Sequence, residues 1–134
     1  MKKIIFAALL STTAVAPAFA ANWVMVGQTE GMTVYADKST AIRSEGKVRM
    51  WSLYDFKTIQ TGDGVKPYLS DMLLYEHDCA ERKSKLLQTT SRLGNMGNGE
   101  VVESITMRDP KWSYAVPDSI GESVLIAACR KSKT

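Results

Sequence analysis

Lys47-Val48-Arg49-Met50-Trp51-Ser52-Leu53-Tyr54-Asp55-Phe56-Lys57 alternates with a period of two. Val48, Met50, Ser52, Tyr54 and Phe56 share one face, and Lys47, Arg49, Trp51, Leu53, Asp55 and Lys57 share the other. That period is the signature of a β-strand, because successive side chains point to opposite sides of a pleated sheet. Trp51 and Leu53 also place apolar groups on the charged face, so both sides of this strand need cover.

Downstream, Thr61-Gly62-Asp63-Gly64 reads as a loop, and Pro67 bars an early ladder bond. Tyr68–Cys79 is a second long strand, with Leu69, Asp71, Leu73, Tyr75, His77 and Cys79 on one face. Lys83–Leu93 is a third, Gly94–Gly99 a Gly/Asn turn, and Glu100–Thr106 a last strand. Upstream, Ser44-Glu45-Gly46 is a tight reversal. Asp37-Lys38-Ser39-Thr40 reads as a turn or a single helical turn, since Asp and Ser bond their own backbone there. Met32–Ala36 and Asn22–Val26 are short strands. Ser119–Arg130 is the one helix. Its capping box, Ser119-Ile120-Gly121-Glu122, lets the hydroxyl cap the Glu122 amide while the carboxylate returns to the Ser119 amide. Ile120, Val124, Leu125, Ala128 and Cys129 form its apolar stripe. The expected class is α+β: a small antiparallel meander of about six strands packed by one C-terminal helix. One helix covers one sheet face, so the other must curl into a half-barrel or meet another chain. A homodimer is compatible with that pattern.

The chain has 134 residues and begins Met1-Lys2-Lys3, followed by the apolar run Ile4–Val15 and then Pro17-Ala18-Phe19-Ala20. A positive start, a short apolar core and small residues before the cut make residues 1–20 a secretory signal peptide. An uncut anchor is the alternative, but the apolar run is shorter than the roughly 20 residues that span a bilayer. No later stretch qualifies as a transmembrane segment, and no cysteine stands at the cleavage site to carry a lipid. Residues 21–134 then form one exported domain, periplasmic or displayed at the surface or secreted. The formal net charge of +3 falls to +1 without Lys2 and Lys3, which gives little support to nucleic acid as a partner. Cys79 and Cys129 are the only cysteines. In an oxidising compartment such a pair reads as one disulfide, against free thiols or an intermolecular bond.

No catalytic motif is visible, and no cofactor is implied. In Glu76-His77-Asp78-Cys79 only His77 and Cys79 share a strand face, and a structural zinc site would want four ligands. The metal reading therefore loses to a structural one. Gly94-Asn95-Met96-Gly97-Asn98-Gly99 lacks the Gly-Lys-Ser/Thr ending of a phosphate loop, and no helix follows it. The serines lack a Gly-x-Ser-x-Gly setting, and nothing singles out an acid pair such as Asp55 with Asp71. The remaining candidates are basic. Arg82, Lys83 and Lys85 follow Cys79, while Arg130 and Lys131 follow Cys129. A bridge between the cysteines would bring both clusters beside it as one positive patch for an acidic protein, an acidic polysaccharide or anionic lipid. The bland reading is a solvated turn beside a solvated tail.

An ordered set of pieces carries a family resemblance: Trp23-Val24; Tyr35-Ala36-Asp37 with Ser39 and Ile42; and Val48-x-x-Trp51-x-Leu53-x-Asp55-Phe56. Pro67-Tyr68-x-Ser70, Tyr75-x-x-Asp78-Cys79, Gly97-x-Gly99-Glu100-Val101-Val102, Trp112 and Pro117-x-Ser119-Ile120-Gly121-Glu122 ending at Cys129 complete it. Together they resemble the surface-adhesin protein E-like family. The resemblance implies an antiparallel sheet with a C-terminal helix, a Cys79–Cys129 bridge and dimerisation. It also implies a non-enzymatic domain that binds host matrix or serum proteins or envelope components. A periplasmic envelope-interaction or housekeeping protein without a host partner is the alternative. The shared residues are framework, so they carry fold more directly than function.

Overall fold

The structure is a computed structural model that describes residues 20–131. The signal-peptide reading of residues 1–20 therefore falls almost wholly outside the described residues, as do Ser132 and Lys133. The elements run β1 (Val24–Gln28), β2 (Met32–Ser44), β3 (Lys47–Gly62), β4 (Val65–Asp78), β5 (Lys83–Arg92), β6 (Val101–Thr106), β7 (Ser113–Tyr114) and α1 (Ile120–Cys129). All strand pairs are antiparallel, in the order β1-β2-β3-β4-β5-β6. The two-residue β7, which sequence patterning does not show, pairs with Lys83 and Ser84 at the far end of β5 from β6.

Local chemistry explains the reversals and the irregularities. Glu45 and Gly46 both take positive φ, 52° and 74°, as a two-residue hairpin with the right twist demands. Asp37–Thr40 does not end β2 as a turn. It forms a bulge inside it, with the register to β3 shifting between Asp37 and Ile42. The Asp37 carboxylate is buried there and accepts from the Ser39 amide at 3.0 Å and the Asn22 amide at 3.0 Å. The side chains thus bond the local backbone as expected, but the ladder resumes beyond them. Pro67 likewise stays inside β4, within the register shift between Val65 and Tyr68, where it has no ladder partner. In β5 a further shift leaves Leu86 opposite Tyr75 but Gln88 opposite Leu74. Simple alternation would have kept Leu86 and Gln88 on one face; the bulge at Leu87 separates them.

Helix α1 lies on the face that carries Val34, Ala36, Val48 and Met50, burying Val124 and Ala128 against them. Ser119 caps it by accepting from the Glu122 amide at 3.1 Å. The returning carboxylate accepts from Asp118 N at 3.2 Å rather than from Ser119, whose amide donates to Val116 O. Gly27 marks the closest approach of β1, since a Cβ there would lie 2.9 Å from Ile120 Cδ1. The bridge between Cys79 and Cys129 closes with a Cα–Cα distance of 5.6 Å and ties the other end of α1 to the end of β4.

The opposite face is covered in part by the chain itself. A 3-10 turn, Asn95–Gly97, folds over Leu53, which is 0% exposed. Polar tethers hold it down. Asp55 Oδ1 accepts from Met96 N at 2.7 Å and Asn95 Nδ2 at 3.0 Å. The buried Ser70 hydroxyl donates to Gly94 O at 2.6 Å and accepts from Gly97 N at 3.0 Å. The Gly/Asn segment is a hairpin connection, as its composition suggests, but also a lid over Leu53 and Met72.

Candidate functional site

The cations marked in the sequence fall into different surroundings: Arg82 at the start of α1, Lys83 and Lys85 beside Trp112, and Arg130 and Lys131 past the end of α1. Arg82 Nη2 lies 3.0 Å from Glu122 Oε2, in the first helical turn. Lys85 Nζ lies 2.9 Å from Glu76 Oε2, with Arg49 3.3 Å from the other carboxylate oxygen. Lys85 and Lys83 also stand over the Trp112 ring, at 4.5 and 5.4 Å from its centroid. Burial alone would push the Glu76 carboxyl up. Hydrogen bonds and charge from Lys85, then from Arg49, outweigh it and hold the group below the ordinary carboxylate range. These cations are engaged by acids and an aromatic face.

Arg130 and Lys131 sit past the C-terminus of α1. Glu122, which holds Arg82, is eight positions before Arg130, about 12 Å along the helix axis. The bridge therefore does not bring Arg82 to Arg130. It brings Lys131 to the β2–β3 hairpin, where Arg43, Lys47 and one acid, Glu45, line a surface groove of ≈ 360 Å³ with Cys79 and Cys129. Arg43 Nη2 donates to Ala128 O at 2.9 Å. The last turn of α1 contains no basic residue of its own, and Arg43 supplies the cation that the negative end of the helix favours. Arg130 flanks a second groove with Lys38 and the exposed Val24 and Met25 of β1. Arg43, Lys47 and Lys38 escaped the sequence reading because each is isolated in sequence. Only the hairpin and the helix end put them beside residues 130 and 131.

The Glu76–Cys79 run is dispersed. Glu76 and His77 face opposite sides of the sheet, Asp78 Oδ1 accepts from Glu81 N at 3.1 Å to close a turn, and Cys79 is in the bridge. Among the described residues no three His, Cys, Asp or Glu side chains cluster as metal ligands, and no helix is long and apolar enough to cross a membrane.

Residues 23–130 match the family described as surface-adhesin protein E. The chain belongs to that family. Three solved structures show the surface-adhesin protein E fold at low identity. The crystal structure of protein E from non-typeable Haemophilus influenzae superposes with a TM-score of 0.60 at 12% identity, covering 86% of this chain and 81% of that one. The selenomethionine form of Haemophilus influenzae protein E gives 0.58 at 11% identity, over 78% and 89% of the two chains. Crystal form II of the same protein gives 0.58 at 12% identity, over 85% and 96%. No curated protein sequence matches the chain. At such identities the protein E structures speak for the shared fold. The family match is what places this chain in the surface-adhesin protein E family.

Proposed function

We propose that the protein is an exported, non-enzymatic adhesin-like domain that binds an acidic protein surface through the cationic end of its sheet-and-helix stack. The match to the surface-adhesin family over residues 23–130 carries this reading. The gathering of Arg43, Lys47 and Lys131 around one groove supports the location, with Arg130 beside it on the neighbouring groove. Arg130 and Lys131 keep the binding role expected from sequence. Arg82, Lys83 and Lys85 contribute less, because Glu122, Glu76 and Trp112 already engage them.

Two experiments test it. Antibody labelling of unpermeabilised cells should detect the protein. Protection from label and protease, with release by osmotic shock, would overturn surface display and point to an envelope partner. Binding of the purified domain to immobilised matrix and serum proteins should then fall at least about tenfold when Arg43, Lys47, Arg130 and Lys131 are all changed to Glu, with the larger loss at low salt. Reversal of Arg82, Lys83 and Lys85 should cost less binding. The opposite ranking, or equal binding by both sets, would remove the groove from the site; preference for heparin over every protein would reassign the partner to acidic polysaccharide.

A further inference from the structure

The two edges of the sheet are unequal. β6 ends one side and carries Glu103, a charge that discourages a further strand. β1 ends the other, and Val24–Gln28 contains no charge and no proline. Among the described residues no strand pairs with its outer side. The backbone donors and acceptors there form a template for another extended chain. The register shift between Met25 and Gly27 confines that template to the N-terminal half of the strand.

A groove of ≈ 360 Å³ follows this edge. Val24 stands opposite Ala36, on the face that α1 covers, and Met25 stands opposite Tyr35, on the other face. Both line the groove, so it wraps the edge of the sheet rather than lying on one side of it. Ile126 and Ala127 bring α1 into the same lining. The apolar groups are accessible: Val24 is 51%, Met25 57% and Ile126 37% exposed. Lys38 and Arg130 are the charged members of the groove, and no carboxylate lines it.

We propose that this edge binds a short extended segment of another protein, acidic and with apolar residues in alternation, which pairs with β1 as an added strand. The main chain of the segment bonds the outer side of β1, its apolar side chains fill the groove, and its carboxylates meet Lys38 and Arg130. The inference rests on the reading of the chain as a protein-binding domain and adds the mode of contact. Two other occupants fit less well. A lipid surface covers the apolar side chains but leaves the strand-edge amides and carbonyls without partners in hydrocarbon. A second copy joined through the same patch sets Lys38 and Arg130 against their own counterparts, with no acid in the groove to offset them. An acidic strand satisfies the backbone, the apolar lining and the charge together.

The test is a nuclear magnetic resonance titration of the domain with a short end-blocked peptide of alternating valine and glutamate. The amide signals of Val24, Met25 and Val26 should shift in a saturable way, and nuclear Overhauser contacts should join the peptide backbone to β1. Methylating alternate backbone nitrogens of the peptide, one set for each register, keeps its charge and side chains. One of the two methylated peptides should bind at least about tenfold more weakly, because it has lost the donors that face β1. A valine–lysine peptide should also bind at least about tenfold more weakly, and Lys38→Glu together with Arg130→Glu should reverse that preference. Unshifted β1 amides at millimolar peptide, shifts at β6 instead, or undiminished binding by both methylated peptides would each overturn the proposal. So would binding to phosphatidylglycerol vesicles in place of the peptide, or β1 shifts that appear on concentrating the protein alone, which mark a second copy as the occupant. Failure here with charge-dependent binding of matrix or serum proteins intact would remove the added strand and leave the groove of Arg43, Lys47 and Lys131. Loss of both would remove the protein-binding reading itself.

Discussion

His77 stands opposite Val48 on one side and Ser84 on the other, and its environment makes it a stability-linked group. Burial holds its pKa at about 4, below the 6.5 of an unperturbed imidazole. Between those values the unfolded chain binds a proton that the folded chain refuses. Stability is therefore fully present above the unfolded value and is lost as pH falls from 6.5 toward 4. The loss is on the order of 3 kcal/mol. The lowered Glu76 carboxyl acts in the same direction, but its loss begins only below the ordinary carboxylate value of 4.5. The windows are distinct, so urea midpoints measured across mildly acidic pH should fall steeply for the wild type and much less for His77→Gln. An unchanged slope in the variant would show that His77 is not the titrating group. The sequence supplied the strand and the face for this residue. It could not supply the burial, which comes from β3, β5 and α1 packing around it.

At the scale of elements, the Gly/Asn turn between β5 and β6 stands out because it covers the face that α1 cannot reach. Leu53→Ala should destabilise by about 2–5 kcal/mol, the range for emptying a buried leucine site. Ile59→Ala, on the same strand but exposed, should stay within about 0.5 kcal/mol. Chemical denaturation of both variants checks this, and similar small effects would mean that the turn does not seal Leu53. The alternation of Lys47–Lys57 already marked Leu53 as an apolar residue among charges. What covers it was not legible, because the contact joins β3 to a turn some forty residues later through Asp55, Ser70 and backbone amides. The same limit applies to β5, where one unpaired residue at the bulge inverts the faces on either side of it.

Across the whole molecule, the Cys79–Cys129 bridge closes a separation of 50 residues and joins the helix to the sheet at the cationic end. Replacing both cysteines by Ala should lower unfolding free energy by about 4 kcal/mol in the chain-entropy account. Equilibrium urea unfolding of the oxidised domain and the double variant gives the difference directly, and a loss below about 1 kcal/mol would contradict a loop-closing role for the bridge. The domain would then also lose the register between Lys131 and the β2–β3 hairpin, so the variant should show weaker groove-dependent binding alongside lower stability. The sequence by itself determined the succession of β1 to β6, the tight Ser44–Gly46 reversal and the helix with its Ser119 cap, and it made one disulfide the favoured reading of the two cysteines. Each of these rests on local periodicity, turn chemistry or the count of thiols. Only the tertiary structure decided which cations are free, what seals the second sheet face, and that the outer edge of β1 and the end of α1 share one groove. Those features depend on contacts between segments far apart in sequence, and charge and burial are properties of the surroundings a residue is given.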